Sequence, residues 1–96
     1  MIILIEVLAL GKIEGEVIII LSKNDLNKTI SGKVIIAKEI TLDMLPKMYN
    51  VKGVIVENGS VLSHVSIFLR EIGIPMVKIK NATKLYKTGT IINLKN

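Results

Sequence analysis

Isoleucine, valine and leucine fall into six short runs separated by glycine and polar turn residues, and that pattern constrains the fold of this chain more than any other feature. The runs cover residues 2–10, 16–21, 33–37, 53–56, 76–79 and 90–94. Branched aliphatic side chains suit a pleated surface, so runs of this length bounded by turn residues predict β-strands. Several are apolar at every position, as a strand covered on both faces requires. Breaks fall at Gly11, at Gly15, across residues 22–27, at Ser31-Gly32 and at Thr88-Gly89.

Two segments follow a helical period instead. Residues 41–49 bring Leu42, Leu45, Met48 and Tyr49 to one face behind Thr41 as N-cap, with Pro46 acceptable only near the first turn. Residues 63–72 are cleaner. Ser63 can cap, Val65, Phe68, Leu69 and Ile72 form an apolar stripe, Gly73 stands where a left-handed C-terminal residue is wanted, and Pro75 follows. There is no repeat, linker or low-complexity tract, so the expectation is one compact α/β domain over residues 1–96.

Half of the 96 residues are hydrophobic, and a chain this size buries on the order of 60–70% of the surface it exposes when unfolded, enough for a core without staples. The absence of cysteine excludes disulfides, thiolate metal sites and thiol nucleophiles. The apolar stretch 1–10 is interrupted by Glu6 and has neither a basic leader nor the length of a bilayer span, so no membrane association and a cytoplasmic location are expected. The net charge of +5 comes from dispersed lysines, with one arginine and three aromatics in the chain. A nucleic-acid binder would ordinarily concentrate arginine and stacking aromatics, so no nucleic-acid partner is expected unless the lysines gather on one face.

The single histidine, His64, falls in the first turn of the 63–72 helix, after the 53–56 strand and a polar turn at Glu57-Asn58-Gly59-Ser60. Helical periodicity places it on the flank of the apolar stripe, where its ring reaches solvent. A helix N-terminus offers unpaired N–H groups and the positive end of the helix dipole, both favourable to phosphate. Imidazole is mostly uncharged at cytosolic pH, and the uncharged form is the nucleophile. A phosphorylated histidine fits this position, with Gly59 and Ser60 allowing close approach. On geometry alone, a lone histidine in a first helical turn is more often a cap or surface residue than a nucleophile.

The wording of residues 53–67, Gly-Val-Ile-Val-Glu-Asn-Gly-Ser-Val-Leu-Ser-His-Val-Ser-Ile, and of 70–77, Arg-Glu-Ile-Gly-Ile-Pro-Met-Val, resembles the mobile phosphohistidine domain of the phosphoenolpyruvate-utilising enzymes. That family includes phosphoenolpyruvate synthase, pyruvate phosphate dikinase and enzyme I of the sugar phosphotransferase system. The order of the Gly11 to Gly15 turn, the 33–37 strand, the 41–49 segment and a closing stretch with Ala82-Thr83, Leu85 and Gly89 extends the resemblance over nearly the whole chain. It implies a swivelling β/β/α domain in which His64 accepts and donates the phosphoryl group. Ser63 is then the neighbouring hydroxyl, and Gly59 with Ser60 the turn that the family usually fills with two glycines. Val56 replaces a frequent threonine. Arg70 matches the family's arginine, although a mid-helix arginine near a glutamate is also an ordinary surface charge. Glu57 is a supporting candidate, either orienting the turn or touching a partner's metal.

No P-loop and no paired carboxylates at metal spacing occur in the chain. The resemblance therefore implies that the domain binds no cofactor or metal itself, and that magnesium sits on a partner. The expected partners are nucleotide-binding and phosphoenolpyruvate-binding barrel domains or subunits. The alternative is a non-catalytic interaction or regulatory module that retains the swivelling fold and self-associates as a homo-oligomer through its apolar first strand. The two readings differ in whether His64 is exposed beside Ser63 and Gly59 or packed in the core.

Overall fold

Successive side chains of a strand point to opposite faces, yet all four residues of β3 (Val34–Ala37) and of β4 (Gly53–Val56) are buried. Such strands belong at the centre of a parallel sheet with cover on both sides. The computed structural model describes residues 4–95 and places them there. Six strands form one sheet in the order β1-β5-β4-β3-β2-β6, with β1 at Ile5–Ala9, β2 at Ile13–Ile20, β5 at Met76–Ile79 and β6 at Ile91–Leu94. Strands β2 to β5 run parallel, pairing Ile18 with Ile35, Ile35 with Val54 and Val54 with Met76. The outer strands β1 and β6 run antiparallel to β5 and β2. This is the expected α/β class.

The alternation sorts the strand residues into two cores. Ile18, Ile20, Ile35, Ala37, Val54 and Val56 join one face, beneath helix α1 (His64–Glu71) and two 3-10 turns. Val17, Val34, Ile36, Ile55, Val77 and Ile79 join the other, with Ala82 of the short helix α2 (Ala82–Leu85) and Ile92 of β6. Each fully buried isoleucine contributes about 1.5–3 kcal/mol of transfer free energy, so the hydrophobic effect acts on both faces. Strand β1 breaks the alternation. Its register shifts between Val7 and Ala9, a bulge that turns consecutive residues Leu8 and Ala9 both into the first core.

Several expected boundaries move. The first strand covers Ile5–Ala9, and the part of its predicted span at residues 2–3 lies outside the described residues. The second begins at Ile13, because residues 13–16 pair with β6 and residues 17–20 with β3. The changeover falls beside Gly15, whose φ of +151° favours glycine, so Gly15 lies within a strand where a break was expected. The 41–49 segment is a 3-10 helix at Leu42–Lys47. Pro46 has no N–H to bond the Leu42 carbonyl and its ring crowds that group, so the turns close three residues back, Met44 N–H to Thr41 and Met48 N–H to Leu45 at 3.0 Å each. Met44, Leu45 and Met48 are buried there, while Leu42 and Tyr49 stay exposed.

Candidate functional site

The chain leaves β4 at Val56 and is held against the exit of β3. The Asn58 N–H donates to the Lys38 carbonyl at 2.8 Å, and the Glu57 N–H donates to the Ala37 and Lys38 carbonyls at 3.2 and 3.1 Å. Gly59 then passes close over β1, and a Cβ on it would lie 3.1 Å from Leu8 Cδ1. The Ser60 carbonyl accepts the Ser63 N–H at 3.2 Å, closing a turn that delivers the chain to α1. Ser60 is thus used through its backbone, and its side chain is exposed.

Ser63 is the N-cap, in extended geometry, and its Oγ accepts the Ser66 N–H at 3.1 Å. The Ser63 hydroxyl donates to Ser66 Oγ at 3.0 Å, and the Ser66 hydroxyl donates to the Ser60 carbonyl at 2.5 Å. Ser66 is fully buried. This hydroxyl chain fixes the first turn of the helix, and only the spacing Ser63-x-x-Ser66 within an apolar stripe foreshadows it.

His64 opens α1 on an exposed flank. Its imidazole has no hydrogen-bond or ionic partner among the described residues. The backbone N–H groups of His64 and Val65 also meet no acceptor there, so the positive end of the helix is open. The inward face of α1 is Val65, Ser66 and Leu69, with Phe68 and Ile72 only partly covered. The expected stripe included Phe68, which packs against this core but is only partly buried. Phe68 lies at the margin, its ring edge-on to Tyr49 at 5.6 Å.

The two supporting candidates brace the loop from opposite sides. Glu57 Oε2 accepts the Thr83 N–H at 2.9 Å and the Thr83 hydroxyl at 2.5 Å, which engages its carboxylate with the first turn of α2. The Thr83 hydroxyl, followed by the Thr83 N–H, holds this carboxyl below the usual glutamate range. Arg70 Nη2 donates to the Leu8 carbonyl at 2.7 Å and to the Val61 carbonyl at 3.0 Å. A group with a depressed folded pKa stabilises fully above its unfolded value and loses that contribution as the pH falls through the folded one. Glu57→Gln is accordingly expected to cost about 1 kcal/mol at pH 7 after allowance for solvent screening. The difference from the parent should shrink in denaturant melts as the pH is lowered below the usual glutamate range and through the depressed folded value.

A cleft of about 170 Å³ opens beside the site, lined by Glu39, Ile40, Asn58, Gly59, Ser63, Val65 and Met76. A second, of about 290 Å³, adjoins it at Glu39 and includes Ser22, Lys23, Lys38 and Thr41. Both lie where β2, β3 and β4 end, the carboxyl edge at which open parallel sheets bind ligands. Among the described residues no cluster of three histidines or carboxylates is placed to hold a metal ion, and no helix is long and apolar enough to cross a membrane.

The described residues form a small α/β domain with an open, parallel-core sheet, and its histidine stands exposed at the start of α1. Residues 29–95 match the family described as the mobile domain of phosphoenolpyruvate-utilising enzymes, and the chain belongs to that family. It is 35% identical over 81 residues to a probable phosphoenolpyruvate synthase of Pyrococcus horikoshii, with 83% of this chain covered. It is 32% identical over 81 residues to the phosphoenolpyruvate synthase of Pyrococcus furiosus, again covering 83% of this chain. A rifampicin phosphotransferase of Bacillus cereus is 32% identical over 85 residues, covering 88%. In each case the match spans 10% of the relative's length.

Proposed function

We propose that this domain is a phosphoryl carrier in which His64 takes a phosphoryl group at one active site and releases it at another. The observation that carries the reading is the exposed, unpartnered imidazole beside two free N–H groups at the start of α1. An interaction module with a packed histidine would have placed this ring in the core. A ring nitrogen attacks phosphorus, a new N–P bond forms, and the bond from phosphorus to the donor's oxygen breaks. At the second site the acceptor oxygen attacks, the N–P bond breaks, and the nitrogen recovers its lone pair. The helix N-terminus favours the added negative charge in the interval.

Phosphoryl transfer depends on metal and cationic clamps around the phosphates. In this proposal those parts sit on nucleotide-binding and phosphoenolpyruvate-binding domains, with magnesium, elsewhere in a longer chain or on partner subunits, in the cytoplasm. Relatives ten times the length of the matched segment support that division of labour. Incubation with phosphoenolpyruvate or ATP, magnesium and the partner domains should label the chain once. The label should be acid-labile and base-stable, because protonating the ring nitrogen makes it a good leaving group. The 96 residues alone should take nothing from either donor; labelling of the isolated chain by phosphoenolpyruvate or ATP, or a label on serine, would refute the carrier reading.

A further inference from the structure

We propose that Arg70 is a positioning residue that holds the loop presenting His64 in place, acting through the bulge in β1. The inference rests on the carrier reading and adds to it a part of the fold distant in sequence. Leu8, the bulged residue, has no partner across the β1–β5 ladder. Its side chain lies under Gly59, close enough that a Cβ there would meet it at 3.1 Å. Its carbonyl accepts Arg70 Nη2 at 2.7 Å, and the same nitrogen donates at 3.0 Å to the Val61 carbonyl.

One residue of an edge strand therefore buttresses both halves of the loop at 59–62. It touches Gly59 by packing and Val61 through the guanidinium. Arg70 lies in the next turns of the helix that His64 begins, so the brace closes a ring from helix to edge strand to loop and back to the helix. The guanidinium is otherwise uncommitted. It forms no ion pair among the described residues, unlike Lys12, Lys23, Lys28 and Lys33. A mid-helix arginine with no ionic partner and both hydrogen bonds on carbonyls is placed to hold backbone. Val61 and Leu62, which it steadies, are exposed and have only the turn at Ser60 to order them.

The consequence is kinetic. With the brace removed the helix remains, because Val65 and Leu69 still anchor it, but the loop before the free N–H groups loosens. Misplacement of a reacting group by about 1 Å lowers a rate on the order of a hundredfold, so a loss of about tenfold or more is expected.

Phosphoramidate supplies a phosphoryl group without any partner domain. The ring nitrogen bonds to phosphorus, the phosphorus–nitrogen bond of the donor breaks, and ammonia leaves. The rate of His64 labelling by potassium phosphoramidate, followed by phosphorus NMR, is compared in the 96-residue chain, Arg70→Met and Arg70→Lys, with amide spectra of residues 59–65 recorded on each. The expected result is slow labelling and shifted loop amides in Arg70→Met, and recovery of most of the rate in Arg70→Lys, whose ammonium can reach carbonyls too. Should Arg70→Met fail to fold, Arg70→Gln takes its place. Labelling of Arg70→Met at the parent rate would overturn the positioning role and leave the carrier reading intact. No labelling of His64 in the parent chain would overturn both.

Discussion

His64→Ala is expected to abolish phosphoryl uptake completely in the presence of every partner domain, while changing the unfolding free energy by no more than an ordinary surface change, about 0.5 kcal/mol. The ring is exposed and makes no hydrogen bond or ion pair among the described residues, so its removal leaves neither a cavity nor an orphaned group. Alanine also supports the first helical turn at least as well as histidine. Loss of label with retained stability separates a nucleophile from a structural residue. Ser63→Ala makes the complementary case. It removes the acceptor for the Ser66 N–H and the donor to Ser66 Oγ, so it should cost about 1 kcal/mol and slow labelling without stopping it. A label that survives in His64→Ala would place the chemistry on another residue.

Leu69→Ala should be the most destabilising single truncation in α1, at about 2–5 kcal/mol. Leu69 is fully buried at the centre of the inward face, and its side chain joins the core made by Leu8, Val54, Val56 and Met76. Small domains hold about 5–15 kcal/mol in all, so this loss would consume a large part of the margin. Phe68→Ala should cost less despite the larger side chain, because its ring is only partly covered and rests on an exposed Tyr49. Urea melts of the two variants beside the parent give the comparison directly. Phe68→Ala costing more than Leu69→Ala would mean that the helix is rotated toward Phe68 in solution.

Strands β3, β4 and β5 could be read from the chain nearly to the residue, since short runs rich in valine and isoleucine between turn residues favour a pleated strand. Helix α1 was legible for a similar reason. Its cap, its stripe and Gly73, which adopts φ +79°, agree with one another over a single short segment. The 3-10 turn at Lys23–Asn27 and helix α2 were not foreseen, because neither carries an apolar period long enough to register. The first is pinned by Asp25, whose carboxylate accepts the Leu21 and Ser22 N–H groups. The second is tied to the sheet by Glu57 through Thr83, a bond between residues 26 positions apart.

The position of the candidate site was likewise written locally. A lone histidine following a capping serine, after a strand and a glycine turn, needs only neighbouring residues to specify it, and hydrogen bonds within Ser60, Ser63 and Ser66 complete the turn. What surrounds the site was settled by the tertiary structure alone. Nothing in the linear chain says that Leu8 would bulge, that Arg70 would reach its carbonyl, or that Ser66 would be fully buried on the inward face while Phe68 is only partly covered. Local propensity and periodicity depend on residues a few positions apart, and they decided which segments became strand or helix and where the histidine stands. The bulge, the brace and the helix's rotation depend on how a complete sheet meets a complete helix, where close packing and the need to satisfy each buried polar group select one arrangement among several that local sequence permits.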